Sequence, residues 1–172
     1  MSEATFEVIR NVGVISSTKN SSLELRLIKW NSAVKYDLRR WGENGTKPYK
    51  GVTFNEGEIK ALLPILKEGK AKNKNMTPRH KVSLGAGEAI IYEVFGEYKK
   101  TNSKSGKVTY TSWGSAPKYD IRSWTLDFSN CGKGVTLTES ECDSLIAILT
   151  KELGSSTNDD YDTSSLDADL LI

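Results

Sequence analysis

A unit of four strands and one helix, occurring twice in an α+β chain of 172 residues, is what this sequence predicts. Three observations carry it. Strand-length stretches alternate apolar with polar side chains, each series of them ends at a capping-box helix start, and the whole order recurs at one fixed offset. The recurrence is plainest in KYDLRRW, Lys35 to Trp41, which returns as KYDIRSW, Lys118 to Trp124. Gly13 and Gly96, Trp30 and Trp113, Lys50-Gly51-Val52-Thr53 and Lys133-Gly134-Val135-Thr136, and Leu62 and Leu145 share the same offset without a gap. All four tryptophans fall in repeat-equivalent pairs.

Taken in order, Phe6 to Ile15 is rich in β-branched residues and broken by Gly13, which predicts a strand with a bend or bulge. Ser16 to Ser22 is a polar turn. Leu23 to Trp30 alternates, with Leu23, Leu25 and Leu27 inward and Glu24, Arg26, Ile28 and Trp30 outward. After the turn at Asn31-Ser32-Ala33, the third strand sets Lys35, Asp37, Arg39 and Trp41 on one face and Val34, Tyr36 and Leu38 on the other. Gly42 to Pro48 is a loop, and Tyr49 to Phe54 is a short strand. Asn55 and Glu58 form a capping-box pattern ahead of Ile59, Leu62, Leu63 and Leu66, with an early end or a kink expected at Pro64. The charged segment GKAKNKNMTPRHK reads as a linker. The second unit then runs from Ala89 to a helix opening at Thr138, where Glu141 repeats the capping box. The boundaries expected are therefore 1–69, a basic linker 70–85, 86–153, and a disordered acidic tail 154–172.

No apolar run approaches the roughly 20 residues of a membrane helix, and the first residues lack a signal-peptide pattern, so a cytoplasmic protein is expected. Cys131 and Cys142 have neither metal-site nor redox-motif spacing and read as reduced thiols. Net charge is +2, but Asp159, Asp160, Asp162, Asp167 and Asp169 follow the last basic residue. Without them the body carries about +7, the sign expected of a partner of phosphate. His80, the lone histidine, lies in the linker, and no HExxH or P-loop pattern occurs. No catalytic, cofactor or metal role is therefore expected of any residue, and a nuclease built from scattered carboxylates is the residual alternative.

The face shared by Lys35, Asp37, Arg39 and Trp41, and again by Lys118, Asp120, Arg122 and Trp124, is cationic and aromatic. Single strands need cations along the phosphates and aromatic planes under unstacked bases. On this ground Trp41 and Trp124 are the candidate stacking residues, and Arg39 and Arg122 the phosphate or stacking contacts. Lys35, Lys118, Lys50 and Lys133 are electrostatic supports, with Trp30, Trp113 and Arg26 as a second tier. Asp37 and Asp120 orient the arginines. The plainer alternative is that such tryptophans pack across strands and such cations merely solvate a face. Tyr36 and Tyr119 read as core by alternation, and Ile59, Leu62, Cys142, Leu145 and Ile146 as core or inter-repeat interface.

FEVIRNVGVIS, KYDLRRW with KYDIRSW, and KGVTF with KGVTLTESE together resemble the positive cofactor four family, the single-stranded-DNA-binding domain of a eukaryotic transcriptional coactivator and its small bacterial homologues. The resemblance spans each unit. It implies a curved antiparallel four-stranded sheet followed by a helix, twice, with the two units forming a pseudo-dimer inside one chain. It also implies single-stranded-DNA binding, and with the cationic, aromatic face the leading expectation is a non-enzymatic, sequence-tolerant binder acting in replication, recombination or repair, in a bacterial or phage-infected cell. A transcriptional cofactor binding melted DNA or RNA is the alternative, and a protein-interaction scaffold a third. The units depart from one another: Arg40 becomes Ser123, Arg26 becomes Thr109, Glu24 becomes Lys107, Phe6 becomes Ala89 and Pro64 becomes Ala147. Two unequal channels follow. The tail, with its aspartates ahead of Leu170, Leu171 and Ile172, reads either as a solubiliser or as a partner-recruiting segment like the acidic tails of bacterial single-stranded-DNA-binding proteins, though without their Pro-Phe ending.

Overall fold

The fold is given by a computed structural model that describes residues 6–85 and 87–158. It is α+β, with two antiparallel sheets and two helices. The first sheet is a meander of β1 (Phe6–Ser17), β2 (Ser21–Trp30), β3 (Ala33–Gly42) and β4 (Lys47–Phe54), and α1 (Glu56–Ala71) follows it. The second has five strands: β5 (His80–Leu84), β6 (Gly87–Lys99), β7 (Lys104–Ser112), β8 (Lys118–Thr125) and β9 (Cys131–Leu137), then α2 (Glu139–Asn158).

Three boundaries differ from expectation. His80 to Leu84 pairs with β6 as a fifth strand inside the segment taken for a linker. Its alternation, with Val82 buried between exposed neighbours, is outweighed in the sequence by its charged surroundings. The second unit is accordingly βββββα, not ββββα. Secondly, α1 runs through Pro64 to Ala71. Pro64 forgoes one backbone bond, and the buried Leu66 and Gly69 beyond it supply the packing that carries the helix on. Thirdly, α2 continues to Asn158, past the boundary drawn at 153. Asn55 caps α1 as read: its side chain accepts from the Glu58 N–H, and Glu58 accepts from the Asn55 N–H.

Both sheets bend at matching places. β1 has bulges between Val8 and Arg10 and between Asn11 and Gly13, and β6 has them between Ile91 and Glu93 and between Val94 and Gly96, at repeat-equivalent positions. Bulges increase local twist and curl a sheet. The curl is enough to bring Phe6 on β1 within 5.6 Å, centroid to centroid, of Trp41 on β3, two strands away.

The helices are exchanged. α2 packs on β1 and α1 on β6, so each helix covers the other unit's sheet. The two bulge glycines permit this: a Cβ on Gly13 would meet Ile148 of α2 at 2.7 Å, and one on Gly96 would meet Ile65 of α1 at 3.0 Å. One hydrophobic core results, joining Leu23, Leu25, Leu38, Ile59, Leu62 and Leu66 to Val108, Ile121, Val135, Leu145 and Leu149. Polar clamps lie at its rim. Glu152 of α2 accepts from Arg10 and from the Tyr36 hydroxyl at 2.8 Å, and Glu141 accepts from Ser16 at 2.6 Å. From the other side, Lys100 donates to the Thr53 carbonyl at 2.9 Å and reaches Glu58 of α1 at 3.4 Å.

Candidate nucleic-acid interface

The face turned away from the helices is organised twice around a buried aspartate. Asp37 is fully buried in β3, and its carboxylate accepts from the Arg39 Nε at 2.6 Å and Nη2 at 2.8 Å and from the Trp30 indole N–H at 2.9 Å. Asp120, also fully buried, accepts from Arg122 at 2.7 and 2.9 Å and from Trp113 at 2.9 Å. Alternation on β3 and β8 puts the aspartate and arginine two residues apart on one face, and the tryptophan reaches in from the end of β2 in the first unit and from just past the end of β7 in the second. The guanidinium lies 5.0 Å from the Trp30 ring centroid in the first unit and 4.4 Å from the Trp113 centroid in the second. Burial opposes the charge on Arg122, but the Asp120 carboxylate outweighs it, so its pKa is raised above the usual arginine value.

This arrangement holds each arginine in one pose. Arg39 also donates through Nη1 to the Tyr49 carbonyl at 2.8 Å. Those bonds use three of the five guanidinium N–H donors and leave two for a ligand. Gly51 and Gly134, in the repeated Lys-Gly-Val-Thr string, are the floor: a Cβ there would come within 2.2 Å of the Arg39 Cβ and 2.4 Å of the Arg122 Cβ. Sequence reasoning found the lysines beside these glycines and missed why the glycines are there.

Trp41 and Trp124 require correction. Both are 0% exposed, so neither offers a face to a base. Alternation assigned them to the right side of the sheet, but the curl of the sheet covers that side. Trp41 is overlaid by Phe6 and by the Arg26 guanidinium, 4.0 Å from its centroid. Trp124 packs against Trp113 and Phe128 in a second small core with Val82 of β5, Ala89 and Ile91. In both, the indole N–H is buried without a hydrogen-bond partner among the described residues. Arg26 is likewise committed: it is 8% exposed, bonds Glu24 at 2.8 Å, and donates to the Gly45 carbonyl at 3.2 Å. Burial raises the Glu24 pKa, but hydrogen bonds from Ser22, Arg26 and Asn11 outweigh it and hold the carboxyl below its usual range. In the second unit Lys107, at the place of Glu24, pairs instead with Glu97 at 3.2 Å, and Phe128, 5.3 Å from Trp124 and under the Lys107 ammonium, covers the tryptophan. Phe128 adopts a left-handed φ of 61° and stacks on His80 of β5 at 4.4 Å.

The lysines fall outside this covered layer. Lys50, Lys118 and Lys133 are exposed and Lys35 is partly so. β4 and β9 lie against each other, and at this seam a groove of about 420 Å³ is lined by Arg40, Tyr49, Lys50, Arg122, Gly134, Val135 and Thr136. Lys50 and Arg122 thus line the same groove, each from a different sheet. Trp30 and Trp113 keep partial exposure beside their arginines. Asp159, Asp160, Asp162, Asp167, Asp169, Leu170, Leu171 and Ile172 lie outside the described residues. Among the described residues, no group of three or more His, Cys, Asp or Glu side chains is placed to hold a metal, and no helix is long and apolar enough to cross a membrane.

No family model matches the chain. Over 63 residues it is 46% identical to an uncharacterized protein of Treponema pallidum (strain Nichols), a match covering 36% of this chain and 74% of that protein. The matched protein is thus about half as long as this chain, the length of one unit rather than two.

Proposed function

From the premise that the chain belongs to the same family as that Treponema pallidum protein, we propose that it is a non-enzymatic, sequence-tolerant binder of single-stranded nucleic acid. We take it to be built as an intrachain pseudo-dimer of two positive-cofactor-four-like units, the second with an added strand. The observation that carries this reading is the duplicated Trp-Asp-Arg cluster, which fixes Arg39 and Arg122 in one pose on an interior strand of each sheet, each 14% exposed. Exposed Lys50 and Lys133 stand alongside them. Phosphates are met by cations, and Arg39, held in one pose by three hydrogen bonds, keeps two donors for them.

Titration of the full chain with labelled single-stranded DNA, single-stranded RNA and duplex DNA, each at low and moderate salt, tests it. Tight single-strand binding, weaker duplex binding and a steep loss of affinity with salt are expected. Affinity that is absent, or indifferent to salt, sinks the reading. A scaffold reading has one observation in its favour: Val8, Ile9 and Val14 on β1, an edge strand, are exposed. It predicts no salt-dependent affinity for oligonucleotides. Arg39→Ala together with Arg122→Ala leaves two buried aspartates each short of two hydrogen bonds and so tests the fold as well as the site; Lys50→Ala together with Lys133→Ala, at exposed positions, should lower single-strand affinity several-fold and flatten its salt dependence.

A further inference from the structure

With Trp41 and Trp124 covered and Trp30 and Trp113 only partly exposed, the most exposed Phe, Tyr or Trp ring among the described residues is Tyr49, 47% accessible and absent from the repeat pattern. Its position is set by a bulge. On β3 and β4, Arg39 pairs with Gly51 and Trp41 with Pro48, so Arg40 alone stands opposite both Tyr49 and Lys50. On β8 and β9, Arg122 pairs with Gly134 and Trp124 with Cys131, so Ser123 stands opposite Gly132 and Lys133. The same bulge is thus built twice and furnished differently. In the first unit its three residues are Arg40, Tyr49 and Lys50, and all three line the seam groove. In the second they are serine, glycine and lysine. A bulge re-aims side chains out of the pleat, and here it sends a cation, an aromatic ring and a second cation into one groove.

We infer that Tyr49 is the base-stacking platform of this protein, receiving an unpaired nucleobase at the seam groove, and that it makes the first unit the stronger half. This rests on the nucleic-acid reading above. The ring is backed and anchored as a platform must be. It lies over Gly42, where a Cβ would meet the Tyr49 hydroxyl at 2.7 Å and Cε2 at 2.8 Å, so a side chain at 42 would displace the ring from this seat. The Tyr49 carbonyl is held by Arg39 at 2.8 Å, and the Lys47 ammonium stands 5.5 Å from the ring centroid. A base on the ring would therefore have its flanking phosphates within reach of Lys47 and Lys50, with Arg40, 40% exposed and 3.5 Å from Glu141, at the edge of the groove. The second unit has no equivalent: Gly132 replaces the tyrosine, and Thr125 replaces Gly42 and spends its hydroxyl on the β8–β9 turn, with Asp127 at 3.0 Å and Asn130 at 3.2 Å.

The test uses the full chain with fluorescein-labelled oligothymidine and oligouridine, read by anisotropy at fixed salt. Tyr49→Ala should bind at least one of the two strands about 5- to 100-fold more weakly than the wild type, the range for losing one stacked base. Tyr49→Phe should stay within about twofold. Tyr49→Trp should also stay within about twofold and add, over the emission of the four native tryptophans, a component read as the difference from the wild type that saturating strand quenches. Far-UV circular dichroism and the thermal midpoint of each variant establish that it is folded; if Tyr49→Ala is not, the Phe and Trp variants carry the test. Wild-type affinity retained by Tyr49→Ala, or an added emission in Tyr49→Trp that saturating strand leaves unmoved, overturns the platform and leaves the nucleic-acid reading standing. A wild type that binds neither strand overturns both.

Discussion

Each buried aspartate is a charge that the fold tolerates only because three donors converge on it. Asp37→Ala should leave Arg39 unpaired in a site where its side chain is 14% exposed, at a cost of about 3–5 kcal/mol, read as a fall in the denaturant midpoint. Trp41→Ala and Trp124→Ala act on stability too. Each removes a fully buried ring, at about 3–5 kcal/mol apiece, so a weakened affinity in either would not by itself report stacking. Gly51→Ala should cost about 1–3 kcal/mol and weaken binding together, because the added methyl displaces Arg39. The aspartate-to-arginine spacing was legible from alternation alone, since residues two apart on a strand share a face. The burial of Trp41 was not: alternation names the face a side chain is on, and says nothing of what folds over that face. Tyr49 was missed because a bulge, which has no sequence signature here, takes it out of the alternating series.

At the scale of elements, α2 is held to the first sheet by carboxylates. Hydrogen bonding from Arg10, opposed by burial, keeps the Glu152 carboxyl below the usual range. At Glu141 burial is the larger influence and raises the pKa, but hydrogen bonds from Ser16 and Thr138 and the nearby Arg40 outweigh it. Groups depressed in the folded state contribute stability that is fully present above the unfolded carboxyl value of about 4.3 and is lost as pH falls through the folded values. The urea midpoint should therefore be flat from neutral pH down to about 5 and fall below about 4. Glu152→Gln should flatten part of that acid limb, at a cost of about 1 kcal/mol near neutrality, since its partner Arg10 is half exposed. Tyr36 behaves in the opposite sense: burial first, then its bond to Glu152, pushes its pKa up to about 12, so its contribution holds below about pH 10 and is lost above it. Strands and helices of the first unit were legible because each combines a clean period with turn or cap residues. β5 was not, because five residues amid lysines and an arginine carry too short an alternation to outweigh their charge.

For the molecule as a whole, two units and a linker describe the sequence, whereas a main core shared by both units describes the structure. The exchange of helices was hidden in Gly13 and Gly96, which read as bend signals and serve also as the seats of Ile148 and Ile65. It follows that neither half is a self-sufficient domain. A fragment ending at Thr77 lacks α2, and with it Leu145 and Leu149 of the shared core, so it should either unfold or pair with a second copy of itself. Sedimentation and circular dichroism decide this; a folded, monomeric fragment would contradict the shared core.

Joining two such units in one polypeptide also frees them from having to change together. In an assembly of identical copies every substitution appears twice, and a perfect two-fold axis offers the same surface to a chain arriving from either end. Here the two bulges hold Arg40 and Tyr49 on one side and Ser123 and Gly132 on the other. A polynucleotide has a 5′ and a 3′ end, and on the nucleic-acid reading this protein can tell them apart, seating a strand with one polarity where a symmetric pair would accept both.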